Sequence, residues 1–204
     1  MQTSWILKLV IAFALLFVTV GVVRADSVFD FESDTANVTS TQFSNTQNGL
    51  TATFSSPADP GGFMVYPPLG FVTLTGNFLG TGPTAPPTPL TITFSTNVNS
   101  ISLDFGLDES GSLTLMAFEG STPVGSVSVT GGIPPGLFVP EGFISFNGGT
   151  FNSVVLNATS ADAFFGIDNV DVGVAAVPEP ATLFLLGTGL VGLASVRRRA
   201  HART

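Results

Sequence analysis

Three acidic residues frame the body of this 204-residue chain. Asp30 and Glu32 flank Phe31 near its start, and Asp168 lies in Phe165-Gly166-Ile167-Asp168-Asn169-Val170 near its end. Carboxylate oxygens suit calcium, which takes about six to eight oxygen ligands, so these three would need backbone carbonyls beside them. Asp30, Glu32 and Asp168 are the expected metal ligands and Ca2+ the expected ion. The other reading open here is that they are solvated strand ends. Phe63 and Tyr66, beside the Asp59-Pro60-Gly61-Gly62 turn, offer two rings for a small carbohydrate platform, or for packing a loop.

Other chemistry is poorly provided for. All six Lys and Arg lie outside the body: Lys8, Arg24, Arg197, Arg198, Arg199 and Arg203. The one histidine is His201, and cysteine is absent. Without those groups the body builds no Ser-His-Asp or Cys-His site. Asp104-Phe105-Gly106 imitates a kinase motif but lacks the lysine that chemistry needs. A carboxylate pair of the glycosidase type is the one catalytic device left, and no Asp or Glu sits in a recognisable motif for it. The expectation is therefore no enzyme. The alternative is a secreted carbohydrate-active enzyme using a carboxylate pair.

Of the fourteen Asp and Glu, thirteen lie between Asp26 and Asp171. A body without a basic side chain has nothing to neutralise phosphates, which excludes nucleic acid and adhesion to anionic headgroups for that segment. Divalent cations are the natural counter-charge; solubility outside the cell is the other use of such acidity.

The elements that must position these residues read as strands. Leu50-Thr51-Ala52-Thr53-Phe54, Phe71-Val72-Thr73-Leu74-Thr75 and Leu90-Thr91-Ile92-Thr93-Phe94 alternate with period two. So do segments at 28–31, 101–105, 113–118, 124–129, 143–146, 154–156, 164–167 and 170–172, separated by Gly, Pro, Asn and Ser. Pro57–Pro68 and Thr81–Pro89 read as loops, the second too rich in proline for a central strand. Such spacing predicts an all-β fold, an antiparallel β-sandwich of jelly-roll-like form, with Phe on the core face and Thr and Ser on the wet face. The order of the first and last strands resembles that of jelly-roll carbohydrate-binding modules and MAM-type domains. That resemblance implies that the carboxylates of the two terminal strands meet at a metal.

Both ends read as targeting segments. Lys8 precedes a fifteen-residue apolar run, Leu9 to Val23, and Val23-Arg24-Ala25 supplies small residues before a cut between Ala25 and Asp26. At the other end stand Val177-Pro178-Glu179-Pro180, an uncharged stretch from Ala181 to Val196, and Arg197-Arg198-Arg199. The two prolines break what precedes them. The sixteen uncharged residues reach roughly 24 Å as a helix, against a hydrocarbon core of about 30 Å. The arginines stay cytoplasmic by the positive-inside bias. Gly187-Thr188-Gly189-Leu190-Val191-Gly192 fits a dinucleotide fingerprint, but no strand precedes it and no βαβ unit follows.

Hinge, apolar helix and basic clamp in this order resemble the PEP-CTERM sorting signal. The resemblance implies recognition by an exosortase, a membrane transpeptidase that cleaves near the Pro-Glu-Pro motif, in Gram-negative bacteria that make exopolysaccharide. The expected organisation is a signal peptide at 1–25, a β-sandwich at 26–176, the sorting signal with a single short transmembrane helix at 177–199, and a cytoplasmic tail at 200–204. The expected partners are the exosortase, the inner membrane in passing, and exopolysaccharide. The expected role is structural or binding, in the cell envelope or in the extracellular matrix of a biofilm.

Overall fold

Apolar and hydroxyl side chains alternate along most of the body, so each strand has one side to hide from water. The computed structural model describes residues 26–37, 39–40, 42–56, 62–81, 89–159 and 164–174, and every regular element among them is a β-strand. The predicted signal peptide, sorting segment and tail lie outside the described residues. Among the described residues no helix is long and apolar enough to cross a membrane.

The strands are β1 (Ser27–Phe29), β2 (Thr39–Ser40), β3 (Gln42–Gln47), β4 (Leu50–Ser55), β5 (Phe63–Tyr66) and β6 (Phe78–Thr81). Then follow β7 (Leu90–Leu107), β8 (Ser112–Glu119), β9 (Thr122–Thr130), β10 (Glu141–Ala158) and β11 (Phe165–Val174). All the strand pairings are antiparallel.

Two strands of eighteen residues each, β7 and β10, hold the arrangement together. They pair with each other from Leu90↔Leu156 to Gly106↔Glu141 and serve two layers. In the first layer, the start of β7 pairs with β4 and β4 with β3, while the end of β10 pairs with β8 and β8 with β9. In the second layer, the end of β7 pairs with β11, whose far edge carries β6 and then β1. Strands β5 and β2 extend that layer beyond β6. The register of β10 shifts between Asn147 and Ser153, next to Gly149 at φ 68°. Irregularities of this kind let one strand turn from one layer into the other.

The core lies between the layers. Phe29 and Phe31 meet Phe54 edge-on at ring-centroid distances of 6.2 and 5.3 Å, and Phe43 stacks on Phe54 at 5.0 Å. At the other end Gly125 of β9 faces Phe146 of β10, where a Cβ would come within 2.9 Å of the ring. Phe105 likewise lies over Gly142. The antiparallel β-sandwich expected from the sequence is therefore formed.

Several elements differ from the expected ones. The paired runs 90–94 and 101–105 fuse into β7, and 143–146 and 154–156 into β10, with the ladder between them resuming after a register shift. Phe71–Thr75 alternates like a strand but is irregular; its N–H groups are taken by carboxylates instead of a neighbouring strand. Phe63–Tyr66, expected within a loop, is β5. The edge strand β3, Gln-Phe-Ser-Asn-Thr-Gln, carries too few apolar residues to announce itself.

Phe54 touches three other rings and is 1 % exposed. Phe54→Ala is expected to cost about 3–5 kcal/mol, read as a lower urea midpoint at unchanged slope.

Candidate functional site

The body contains no basic side chain, so the donors open to a buried carboxylate from this chain are N–H and O–H groups. Two carboxylates on the outer side of the second layer do this with one loop. Glu141, 4 % exposed, opens β10. The Val72 N–H donates to both of its oxygens at 2.9 and 3.0 Å. The Thr73 N–H and hydroxyl each donate to Oε2 at 2.7 Å. Asp168 of β11, fully buried, accepts the Thr75 N–H at 3.1 Å. The segment 69–77 is thus a strap clipped down at two points.

Beneath the strap the sheet is hollowed by glycine. Gly80 of β6, Gly166 of β11 and Gly106 of β7 stand opposite one another across three strands. A Cβ at Gly106 would lie 2.5 Å from Phe71 and 3.1 Å from Leu74. One at Gly166 would lie 2.7 Å from Phe78 and 3.1 Å from Leu74. Leu74, 2 % exposed, sits in this hollow. Tyr66 stacks on Phe78 at 5.5 Å and meets Phe164 edge-on at 5.2 Å, forming a small second core outside the sandwich.

Asp168 stands where β11 departs from regular pairing. It is directly opposite Asp104, and the register shifts between Asp168 and Asp171. Asn169, at φ 51°, occupies the shift; asparagine tolerates that left-handed conformation better than most residues. The turned backbone brings the Asn169 N–H to Asp168 Oδ1 at 2.7 Å and the Asn169 amide to Asp104 Oδ2 at 3.0 Å. Burial pushes the Asp168 carboxyl up to about 7, and Glu32 and Asp104 push the same way; the Asn169 and Thr75 N–H groups pull against them. The arrangement can hold a proton near neutrality. Asp168 is shut away from solvent.

The expected site residues are brought together only in part. Glu32 and Asp168 belong to one electrostatic group, joined by Asp104. Asp30 is exposed, accepts the Glu32 N–H at 3.3 Å, and faces Asp34. Among the described residues no three carboxylates are arranged to hold a metal ion. The expected ligand set Asp30, Glu32 and Asp168 is not such a group; the chain turns at Phe31, φ 57°, between the two N-terminal carboxylates.

Phe63 and Tyr66 do not form a platform. Positions three apart on a strand point to opposite faces. Phe63 is 3 % exposed and packs on Phe165 at 5.9 Å inside the sandwich, while Tyr66 lies outside with its hydroxyl on the Thr81 carbonyl at 2.8 Å. Glu141, Asn169 and the glycine row escaped the sequence reading. The Asp-Asn pair was a usable hint of a left-handed turn; the contacts of Glu141 span about 69 residues and leave no local trace.

The remaining candidate positions lie at the termini, outside the described residues: Ala25 at the expected signal cut, and Val177, Pro178, Glu179, Pro180, Arg197, Arg198 and Arg199. Residues 176–199 match the family model of the PEP-CTERM protein-sorting motif. The chain carries the PEP-CTERM sorting motif. The motif implies an exported, membrane-anchored precursor sorted to the cell envelope, with an exosortase as its membrane partner. No curated protein matches this chain.

Among solved structures, the K2 adhesin domain of Lys-gingipain is similar at 12 % identity and TM-score 0.49, over 74 % of this chain and 99 % of that one. The K3 adhesin domain of Lys-gingipain from Porphyromonas gingivalis is similar at 11 % identity and TM-score 0.44, over 75 % of this chain and 100 % of that one. The family 32 carbohydrate-binding module of C. perfringens NanJ, in complex with galactose, is similar at 13 % identity and TM-score 0.38, over 73 % of this chain and 99 % of that one.

Two predictions concern the clips. Asp168 holds its proton more tightly folded than unfolded, so stability falls as pH rises from about 4 towards 7 and stays lowered above. Asp168→Asn is expected to flatten that slope: its melting temperature relative to the parent rises with pH and levels off above pH 7. Glu141→Gln turns one acceptor oxygen into a donor facing donors and is expected to cost about 1–3 kcal/mol, read by chemical denaturation.

Proposed function

We propose that this chain is an exported, non-catalytic binding or structural protein of the envelope or extracellular matrix, where it associates with exopolysaccharide in biofilm. An exosortase removes its C-terminal segment near Pro178-Glu179-Pro180. The observation that carries the reading is the sorting motif at 176–199, joined to a body whose charge is wholly acidic. Support for a non-catalytic role is chemical. The body has no His, Cys, Lys or Arg. Its most perturbed acid is buried under the strap, whose hydrogen bonds close the site instead of opening it.

The test is the intact mass of the protein recovered from the envelope or medium. The expected mass lacks residues 1–25 and Arg197–Arg199, and deletion of the host's exosortase restores the arginine triplet. An envelope form that still carries Arg197–Arg199 in the exosortase-competent host would overturn the sorting account.

A further inference from the structure

We propose that the outer face of the first layer binds an uncharged glycan chain. The proposal rests on the binding role given above and assigns it a face and a ligand class.

The strand pairing brings four hydroxyl residues into one row. Ser44 is opposite Thr53, Thr53 opposite Thr93, and Thr93 opposite Ser153, across β3, β4, β7 and β10. Strands lie about 4.8 Å apart, close to the length of one pyranose unit, so a glycan lying across the strands meets one hydroxyl per sugar. Two hydroxyl pairs at the β3–β4 end of the face are already oriented. Ser44 and Thr53 hydrogen-bond at 2.8 Å, as do Thr46 and Thr51. Each hydroxyl has one donor and two acceptor positions, so a pair bonded to itself still offers both kinds of partner. Beyond Ser153 the row runs onto Phe118, with Met116 opposite Val155 beside it. That gives an apolar strip for the C–H faces of sugar rings.

Charge selects among ligands. None of the described carboxylates stands on this face. Asp104, Glu141, Asp168 and Asp171 belong to the second layer, Glu119 marks the rim at the β8–β9 turn, and the rest lie in turns and the first segment. With thirteen acids and no base in the body, an anionic glycan is repelled at long range. A second copy of this chain fits less well. Two such faces would exchange hydroxyl–water bonds for equivalent ones with little apolar area to gain.

The test uses the full chain in detergent micelles, by affinity electrophoresis through gels containing uncharged glycans (a mixed-linkage β-glucan, a galactomannan, dextran) or alginate. At least one uncharged glycan is expected to retard the chain, and alginate to leave it unretarded. Thr93→Asp is expected to weaken retention about ten-fold, equivalent to ~1.4 kcal/mol, while Phe143→Ala on the second layer leaves it unchanged. Thr53→Val, which keeps side-chain shape, carries the test if Thr93→Asp loses its melting transition. Retention lost with Phe143→Ala and kept with the Thr93 and Thr53 variants overturns this assignment but keeps the binding role. Retardation by alginate and by none of the uncharged glycans overturns the assignment, and retardation by no glycan at all overturns the glycan part of the proposed function as well. A mass that doubles with concentration and reverts with Thr93→Asp makes a second copy the occupant and overturns the proposal.

Discussion

A carboxylate buried in a body without a single basic side chain leans on the dipoles of its own chain, and the outer side of the second layer is built around that constraint. Glu141 and Asp168 take N–H groups from one loop, and the loop thereby acquires a fixed path that its own sequence does not dictate. Bonded to carboxylates instead of to a neighbouring strand, the N–H groups of Val72, Thr73 and Thr75 leave the segment irregular but held. Leu74 then fills a hollow that exists because three glycines align across three strands. Removing either clip would loosen the cover of a second, smaller core.

The two clips differ in electrostatics. Glu141 is surrounded by donors from a backbone turn and a hydroxyl. Asp168 shares its surroundings with Asp104 and Glu32, and the asparagine at the register shift stands between two of the three. Burial raises the proton affinity of Asp168, and the like charges beside it add to that. The bulge is thus both a geometric and an electrostatic device: it aims the amide that separates the carboxylates.

Charge also divides the sandwich. The second layer holds acids on its outer side, while the first layer shows hydroxyls, amides and a few apolar side chains. Both layers share β7 and β10, so this division runs along single strands: Thr91 and Thr93 face out near one end of β7, and Asp104 near the other. The bend at Gly148 and Gly149 separates the two environments within β10.

Much of this protein was legible in the residue order. Period-two alternation of Phe and Leu with Thr and Ser is local, so the all-β class and strands such as β4, β8 and β9 follow from it. The sorting motif is a contiguous run whose chemistry needs no partner elsewhere in the chain. Composition alone set the expectation of a body without phosphate binding or histidine-based catalysis. Tertiary structure decided the rest, because it depends on groups far apart in sequence. Which of 71–75 and 63–66 becomes a strand is settled by competition for N–H donors. Whether Phe63 joins Tyr66 is settled by strand parity. The hydroxyl row across four strands exists only through register, which no single segment encodes.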